Sequence, residues 1–221
     1  GFIILSPGEA EGVAKRFFDI GYNTFVLVYT NNVTLDKPMI HQALRDASRA
    51  VQIIRKNSAE LHVHPNKIAG CGFSGGGHMI GSLAVLHELP YLHTDDEYKG
   101  ISNRLDAAIL NYALITGGKY TAPGLGYSTL LGPDATQEEI DAHSLELQVN
   151  ENTVPMFIVH GTADDLVPVQ NADLLARACS DHNVPHEVHI FLGCPHGFQS
   201  PDSRLRARCH HCMYMNNCIT P

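Results

Sequence analysis

The sequence lacks several features that would place it in particular classes of protein. It has no apolar run long enough to span a bilayer, so a transmembrane helix and a membrane partner are not expected. Only 15 lysines and arginines stand against 23 acids, and no basic cluster occurs, which argues against a nucleic-acid partner. The six cysteines form no evident disulfide framework, so reduced thiols and a cytoplasmic location are expected.

The most informative stretch is a glycine-rich turn at residues 67–78. The apolar run from Ile68 to Cys71 predicts a buried strand, and a helical pattern follows from Met79. Between them lies Ser74, inside a Gly-x-Ser-x-Gly motif. Strand, sharp turn and helix form the context that a nucleophile elbow requires. The alternative is an ordinary glycine-rich turn with an exposed serine.

The elbow hypothesis makes a specific demand on the backbone. The serine must adopt strained dihedral angles so that its hydroxyl projects from the turn. Gly72 and Gly76 are then predicted to stand where the backbone approaches so closely that a Cβ would clash. The helix that follows directs its free N–H groups towards Ser74.

Two later motifs supply the partners that a nucleophilic serine needs. Met156 to Val159 predicts a strand that runs into a loop with two acids, Asp164 and Asp165. Val188 to Phe191 predicts another strand, followed by a Gly- and Pro-containing loop with His196. Ser, Asp and His in this chain order, each after a predicted strand, is typical of a serine hydrolase with an α/β sheet.

Other histidines among the 14 compete with His196 for the role of base. His160 belongs to the strand-end turn and is expected to hydrogen-bond locally, and His78 is expected to pack on its helix. Four more are expected to be surface or satisfied core residues: His62, His64, His186 and His189.

With these residues the sequence resembles the α/β-hydrolase superfamily, and within it acetyl-esterase-like carbohydrate esterases and their lipase and esterase relatives. The resemblance covers Gly1 to about Gly197. It rests on the elbow and on His160-Gly-x-x-Asp164-x-x-Val167-Pro168, Asp46-Ala-Ser-Arg49-Ala, His64-Pro65-Asn66-Lys67-Ile68 and Leu130-Leu131-Gly132. It implies an α/β-hydrolase fold, a mostly parallel sheet flanked by helices.

The resemblance also implies roles for individual residues. Ser74 is the nucleophile, His196 the base and Asp164 the orienting acid, with Asp165 as runner-up. The N–H groups of Gly75 and Gly1 are the expected oxyanion-hole donors. Expected substrate-binding residues are Phe73, Tyr112 and Tyr120, although the tyrosines, with Tyr127, are equally consistent with simple packing. No cofactor and no metal are expected.

The two ends of the chain differ from the family pattern. Gly1-Phe2 resembles the end of the relatives' Gly-Gly-Gly-aromatic turn, which predicts a chain truncated inside the oxyanion motif, with the first strands missing. The alternative is a relative with a different, shorter start. The expected domain covers residues 1–200, with a cap-like insertion at 113–152. Residues 201–221 are expected to be an atypical, disordered tail, whose Cys209-His210-His211-Cys212 spacing does not favour a zinc site.

Local patterns predict the elements that precede the elbow. Ser6 to Glu9 predicts a capped helix start, with Glu9 bonding back to the serine. Thr24 to Tyr29 predicts a buried strand because it is rich in β-branched and aromatic residues. Residues 38–56 predict a helix that packs on the sheet.

The functional prediction is a serine carboxylic-ester hydrolase that acts on small, acetyl-type esters, including those of carbohydrates, through an acyl-enzyme. One alternative is a serine peptidase of the prolyl-oligopeptidase type, which uses the same three residues. The other is a catalytically impaired hydrolase fragment that serves as a binding module.

Overall fold

The computed structural model describes residue 3 and residues 6–31, 39–122 and 126–199. Four strands form one parallel sheet in the order β1-β2-β3-β4. The strands are β1 (Ala69–Phe73), β2 (Ala107–Asn111), β3 (Met156–Gly161) and β4 (His186–Phe191). The helices are α1 (Glu11–Asp19), α2 (Met39–Lys56), α3 (Gly75–Leu86), α4 (Tyr127–Leu131), α5 (Gln137–His143) and α6 (Gln170–Asp181), and three 3-10 turns lie at Pro7–Glu9, Pro90–Leu92 and Leu145–Leu147.

The main core lies between the sheet and a layer of helices. Helix α3 packs on β1 and β2, α6 packs on β3 and β4, and α2 packs on α3. Apolar residues spaced three and four apart give α2 the buried side that the sequence predicts, including Leu44, Ala47 and Val51. A parallel sheet flanked by helices confirms the predicted fold class.

The opposite side of the sheet carries a smaller apolar cluster. Its buried members are Phe73, Tyr112, Val159, Cys194 and Phe198, and Val13 of α1 packs against them. Because Phe73 ends β1, Tyr112 follows β2, and Cys194 and Phe198 follow β4, the cluster lies near the edge where the functional loops begin.

Residues 24–29 do not form the predicted buried strand. No strand is formed at these positions, and Phe25, Val26, Leu27 and Val28 are 38–75% exposed. A strand needs a neighbouring strand to pair its N–H and C=O groups, and among the described residues no strand pairs with this segment. Its C-terminal end is attached to the rest of the chain, since Tyr29 packs against the main core and the N–H of Thr30 donates to Asp46 Oδ2 at 2.8 Å.

The predicted helix start is confirmed in position, with Ser6 as N-cap and Pro7 in the first turn, but the predicted capping bonds are wrong. Ser6 makes no side-chain cap, and Pro7–Glu9 is a 3-10 turn that precedes α1. The Glu9 carboxylate instead accepts a hydrogen bond from the hydroxyl of Tyr112, at 2.8 Å. The described residues do contain a capping box at α5, formed by Thr136 and Glu139.

The segment predicted as a cap, residues 113–152, forms the crossover from β2 to β3 and contributes Leu130 and Leu145 to the main core. The side chain of Asn171 connects this segment to the loop after β3. Asn171, fully buried, accepts from the N–H groups of Ile115 and Thr116 at 2.8 and 3.1 Å. It donates to the carbonyls of Tyr120 and Pro168, both at 2.9 Å. The covering of a pocket by this segment stays a prediction.

Two further predictions concern the cysteines and the membrane. Cys71 and Cys179 are free thiols, whereas Cys194 is disulfide-bonded, so the expectation of reduced thiols is wrong for Cys194. Among the described helices, none has the length and apolar character needed to cross a membrane. The Cys/His-rich tail and Gly1 lie outside the described residues.

Candidate active site

Ser74 occupies a strained turn between β1 and α3. Its positive φ of 54°, with ψ of −120°, is the strained backbone that the elbow hypothesis predicts. The Ser74 N–H donates to the carbonyl of Asn111 at 2.9 Å, and the side-chain amide of Asn111 donates to Gly72 O at 3.1 Å. The end of β2 therefore holds both sides of the turn.

The two flanking glycines differ from each other. A Cβ at Gly72 would lie 2.3 Å from the carbonyl oxygen of Gly76, so only glycine fits, as predicted. A Cβ at Gly76 would meet nothing nearer than the hydroxyl of Tyr29, at 3.7 Å, which is an ordinary contact. The predicted clash at Gly76 is therefore wrong: its backbone is the obstacle, and its own side-chain position is open.

His196 joins Ser74 to Asp164. Its Nε2 lies 2.9 Å from Ser74 Oγ and its Nδ1 lies 2.7 Å from Asp164 Oδ2. Because the carboxylate can only accept, Nδ1 carries a proton, and Nε2 of the neutral ring is free to accept from the serine hydroxyl. The structure thus brings together three side chains from loops after β1, β3 and β4.

The two adjacent acids have different environments. Asp164 is buried, and its Oδ1 accepts from the N–H groups of Leu166 and Val167 at 3.0 and 2.8 Å. Burial raises the pKa of Asp164, but hydrogen bonds from His160 and His196 outweigh it and leave the pKa at about 2. Asp165 is exposed. Only Asp164, of the two, is placed to orient His196.

The loops that carry the acid and the base are packed directly on each other. The N–H of Ala163 donates to the carbonyl of Cys194 at 3.1 Å. A Cβ on Gly161, at the end of β3, would lie 2.1 Å from that same carbonyl oxygen. The glycine of the His-Gly-x-x-Asp motif therefore sets the distance between Asp164 and His196.

Tyr112 does not have the predicted substrate-binding position. It is fully buried, its hydroxyl donates to Glu9, and its ring stands edge-on to the His196 ring with centroids 4.9 Å apart. Burial raises the pKa of Tyr112, with the Glu9 carboxylate adding to the effect, so the phenol stays neutral. Tyr112 forms the wall behind the imidazole, where a substrate cannot reach it.

The remaining predicted residues are placed as follows. Phe73 is 9% exposed and packs in the same cluster as Tyr112. Tyr120 is half-buried, with Lys119 over its ring. Gly75 is the first residue of α3 and is buried. The roles of Phe73 and Tyr120 in substrate binding, and of Gly75 as an oxyanion donor, stay predictions.

Two contacts to the site were missed from the sequence. Glu9 reaches the site through Tyr112, 103 residues away in sequence, and no local pattern indicates this. His160 bonds locally to Val167 O, as predicted, but its Nε2 also lies 3.2 Å from Asp164 Oδ2. The spacing of four residues between His160 and Asp164 could have indicated it. No group of three His, Cys, Asp or Glu side chains within the described part of the chain could hold a metal ion.

The chain is similar to several known proteins. The BD-FAE family model matches residues 6–179. Endo-1,4-β-xylanase B of Butyrivibrio fibrisolvens is 41% identical over 198 residues, which cover 90% of this chain and 30% of that protein. The chain thus spans about a third of that relative's length.

Solved structures give the same picture. An acetyl ester-xyloside bifunctional hydrolase from Caldicellulosiruptor lactoaceticus is 28% identical with a TM-score of 0.83, over 100% of this chain and 80% of that one. Propionate-bound esterase 2 of Thermogutta terrifontis is 26% identical with a TM-score of 0.78, over 99% and 79%. The chain therefore belongs to the BD-FAE family and has the α/β-hydrolase fold.

Proposed function

We propose that the chain hydrolyses small acyl esters, acetyl esters of carbohydrates above all, through a Ser74–His196–Asp164 triad and an acyl-enzyme. The observation that carries the proposal is the position of His196, whose two ring nitrogens contact the serine hydroxyl and the buried carboxylate at 2.9 and 2.7 Å. A chain of hydrogen bonds from serine through histidine to a carboxylate supports nucleophilic catalysis by serine.

In the proposed reaction Ser74 Oγ attacks the ester carbonyl carbon while His196 Nε2 takes its proton. Asp164 holds the Nδ1–H tautomer and stabilises the imidazolium that forms. His196 then gives the proton to the departing alcohol, leaving an acyl group on Ser74. Water, deprotonated by the same nitrogen, attacks the acyl-enzyme; His196 then returns that proton to Ser74 Oγ as the acid is released. The N–H of Gly75, at the start of α3, is the proposed donor to the oxyanion.

The proposed substrate class rests on the relatives. One solved neighbour is described as acting on acetyl esters and xylosides, another binds propionate, and the relative from Butyrivibrio is a xylanase. A two- or three-carbon acyl group on a xylan-type sugar is consistent with all three.

The test combines active-site labelling with product release. A fluorophosphonate probe should label the wild-type chain and not a Ser74→Ala variant, because only the activated serine attacks phosphorus. The wild type should release acetate from p-nitrophenyl acetate and from acetylated xylan, and the variant should not. Labelling of both proteins alike would refute the role of Ser74. Labelling with cleavage of peptides but not of acetyl esters would favour the peptidase instead.

A further inference from the structure

A second histidine touches the carboxylate of the candidate site. His160 lies in β3, one residue before Gly161, and is 1% exposed. Its Nε2 is 2.9 Å from the carbonyl oxygen of Val167 and 3.2 Å from Asp164 Oδ2. The ring therefore lies inside the loop that carries the acid, on the side of the carboxylate away from solvent.

The contact with Val167 decides which nitrogen of His160 carries a proton. A carbonyl oxygen only accepts hydrogen bonds, so Nε2 must be protonated. The same N–H also faces Asp164 Oδ2. That oxygen then has two N–H neighbours, His160 Nε2 and His196 Nδ1, and the other oxygen has two backbone donors.

We propose that His160 is a positioning residue for the triad: its Nε2–H fixes the Asp164 carboxylate with Oδ2 towards His196 and draws off part of that oxygen's charge. The inference rests on the proposed function, since it assigns His160 to the acid of that triad. Its effect passes through Asp164, and the geometry gives His160 no contact with Ser74 or with a substrate.

Other groups around Asp164 do not provide this effect. Tyr112, from the end of β2, is a neutral phenol bound to Glu9. Burial raises the pKa of the Cys71 thiol of β1 to about 12, so it is uncharged as well. Two further acids in the described part of the chain are Glu9, which is bonded to Tyr112, and the exposed Asp165 beside Asp164, and a substitution at 160 leaves both unchanged.

The first test is a pair of variants at one position. His160→Leu keeps the bulk and removes the donor, whereas His160→Gln keeps an N–H near the place of Nε2. We expect His160→Leu to lower kcat for p-nitrophenyl acetate roughly 10- to 100-fold, with KM within about twofold, because the imidazole loses its alignment. His160→Gln should recover most of the loss.

The pH profile separates positioning from a merely structural role. In His160→Leu the acid limb of kcat/KM should move to higher pH by about half a unit, because a carboxylate with one donor fewer attracts the imidazole proton more strongly. In His160→Gln, and in the exposed-site control His64→Asn, the limb should stay in place. A folded His160→Leu protein with unchanged kcat and an unchanged acid limb would overturn the proposal.

A measurement on the wild type covers the case in which His160→Leu does not fold. Nitrogen-15 NMR of histidine-labelled protein should show His160 as the Nε2–H tautomer, and the Nδ1–H tautomer would overturn the proposal. This outcome is distinct from failure of the proposed function. A wild type that hydrolyses no ester and takes no fluorophosphonate label refutes the triad, whatever the tautomer of His160.

Discussion

Residues 24–29 and strand β3 have similar sequences and opposite environments. Both are short runs of β-branched and aromatic or aliphatic residues. Strand β3 is paired on both sides, by β2 and β4, and Ile158 at its centre is 3% exposed. Val28 in the other run is 75% exposed. The difference teaches that apolar composition makes a segment capable of being a strand, and that a neighbour makes it one.

The comparison extends to function, because β3 also leads into the loop with Asp164. Asp164→Asn should lower kcat about 10⁴-fold, since the amide would favour the wrong tautomer of His196. Asp165→Asn, next to it but exposed, should change kcat by less than about twofold. Steady-state hydrolysis of p-nitrophenyl acetate measures both. Equal losses in the two variants would contradict the assignment of the acid.

An added methyl group should destabilise the chain at Gly161, where the backbone is tightly packed, and not at Gly76, where there is space. Gly161→Ala would press a Cβ on the carbonyl of Cys194 and should lower the free energy of unfolding by about 3 kcal/mol. Gly76→Ala, where the nearest atom belongs to Tyr29 at 3.7 Å, should leave stability unchanged or raise it, because alanine favours helix α3. Urea unfolding of both proteins is the measurement, and a stable Gly161→Ala would show that the two loops can separate.

Alanine substitutions in β3 and in residues 24–29 test whether the two segments differ in burial as described. Ile158→Ala empties part of the main core and should cost about 3 kcal/mol of unfolding free energy. Val28→Ala in this chain should cost less than about 0.5 kcal/mol, because its side chain is already in water. Denaturant midpoints at constant m-value give both numbers. A similar cost at the two positions would mean that residues 24–29 are covered in solution.

The smallest expected effect is a pH dependence of the free energy of unfolding, caused by Asp164 in the loop after β3. The pKa of Asp164 is about 2 in the folded chain, below the ordinary value of about 3.9 in an unfolded one. Its charge therefore stabilises the fold fully above about pH 4, and this contribution, about 2 kcal/mol, is lost as the pH falls towards 2. The stability difference between wild type and Asp164→Asn should shrink by that amount over this interval in urea titrations at pH 5, 3 and 2. A constant difference would contradict the lowered pKa.

The parts of the molecule that the sequence predicts well are those whose cause is local. The strands β1, β3 and β4 follow from apolar runs bounded by glycine or polar loops, and the strain at Ser74 follows from the glycines of its turn. That Ser74, Asp164 and His196 meet could be predicted because each follows a strand of one parallel sheet, and such strands end at one edge.

The parts that could not be predicted depend on contacts between distant residues. The exposure of Val28 depends on which strands lie beside it, and a single segment does not contain that information. The burial of Tyr112 follows from its bond to Glu9 and its contact with His196, both far away in sequence. At Gly76 the motif correctly indicates a close approach but not which of the two glycines needs to lack a side chain.

Asn171 makes all four of its hydrogen bonds to main-chain atoms, so these bonds do not require particular side chains in the loop after β2. Position 171 itself admits no replacement that both donates and accepts in the same places. Position 120, however, can exchange its side chain without loosening the joint, because only its carbonyl is part of it. New substrate preferences could therefore arise along that loop while its path, and the attachment of the acid loop at Pro168, are preserved.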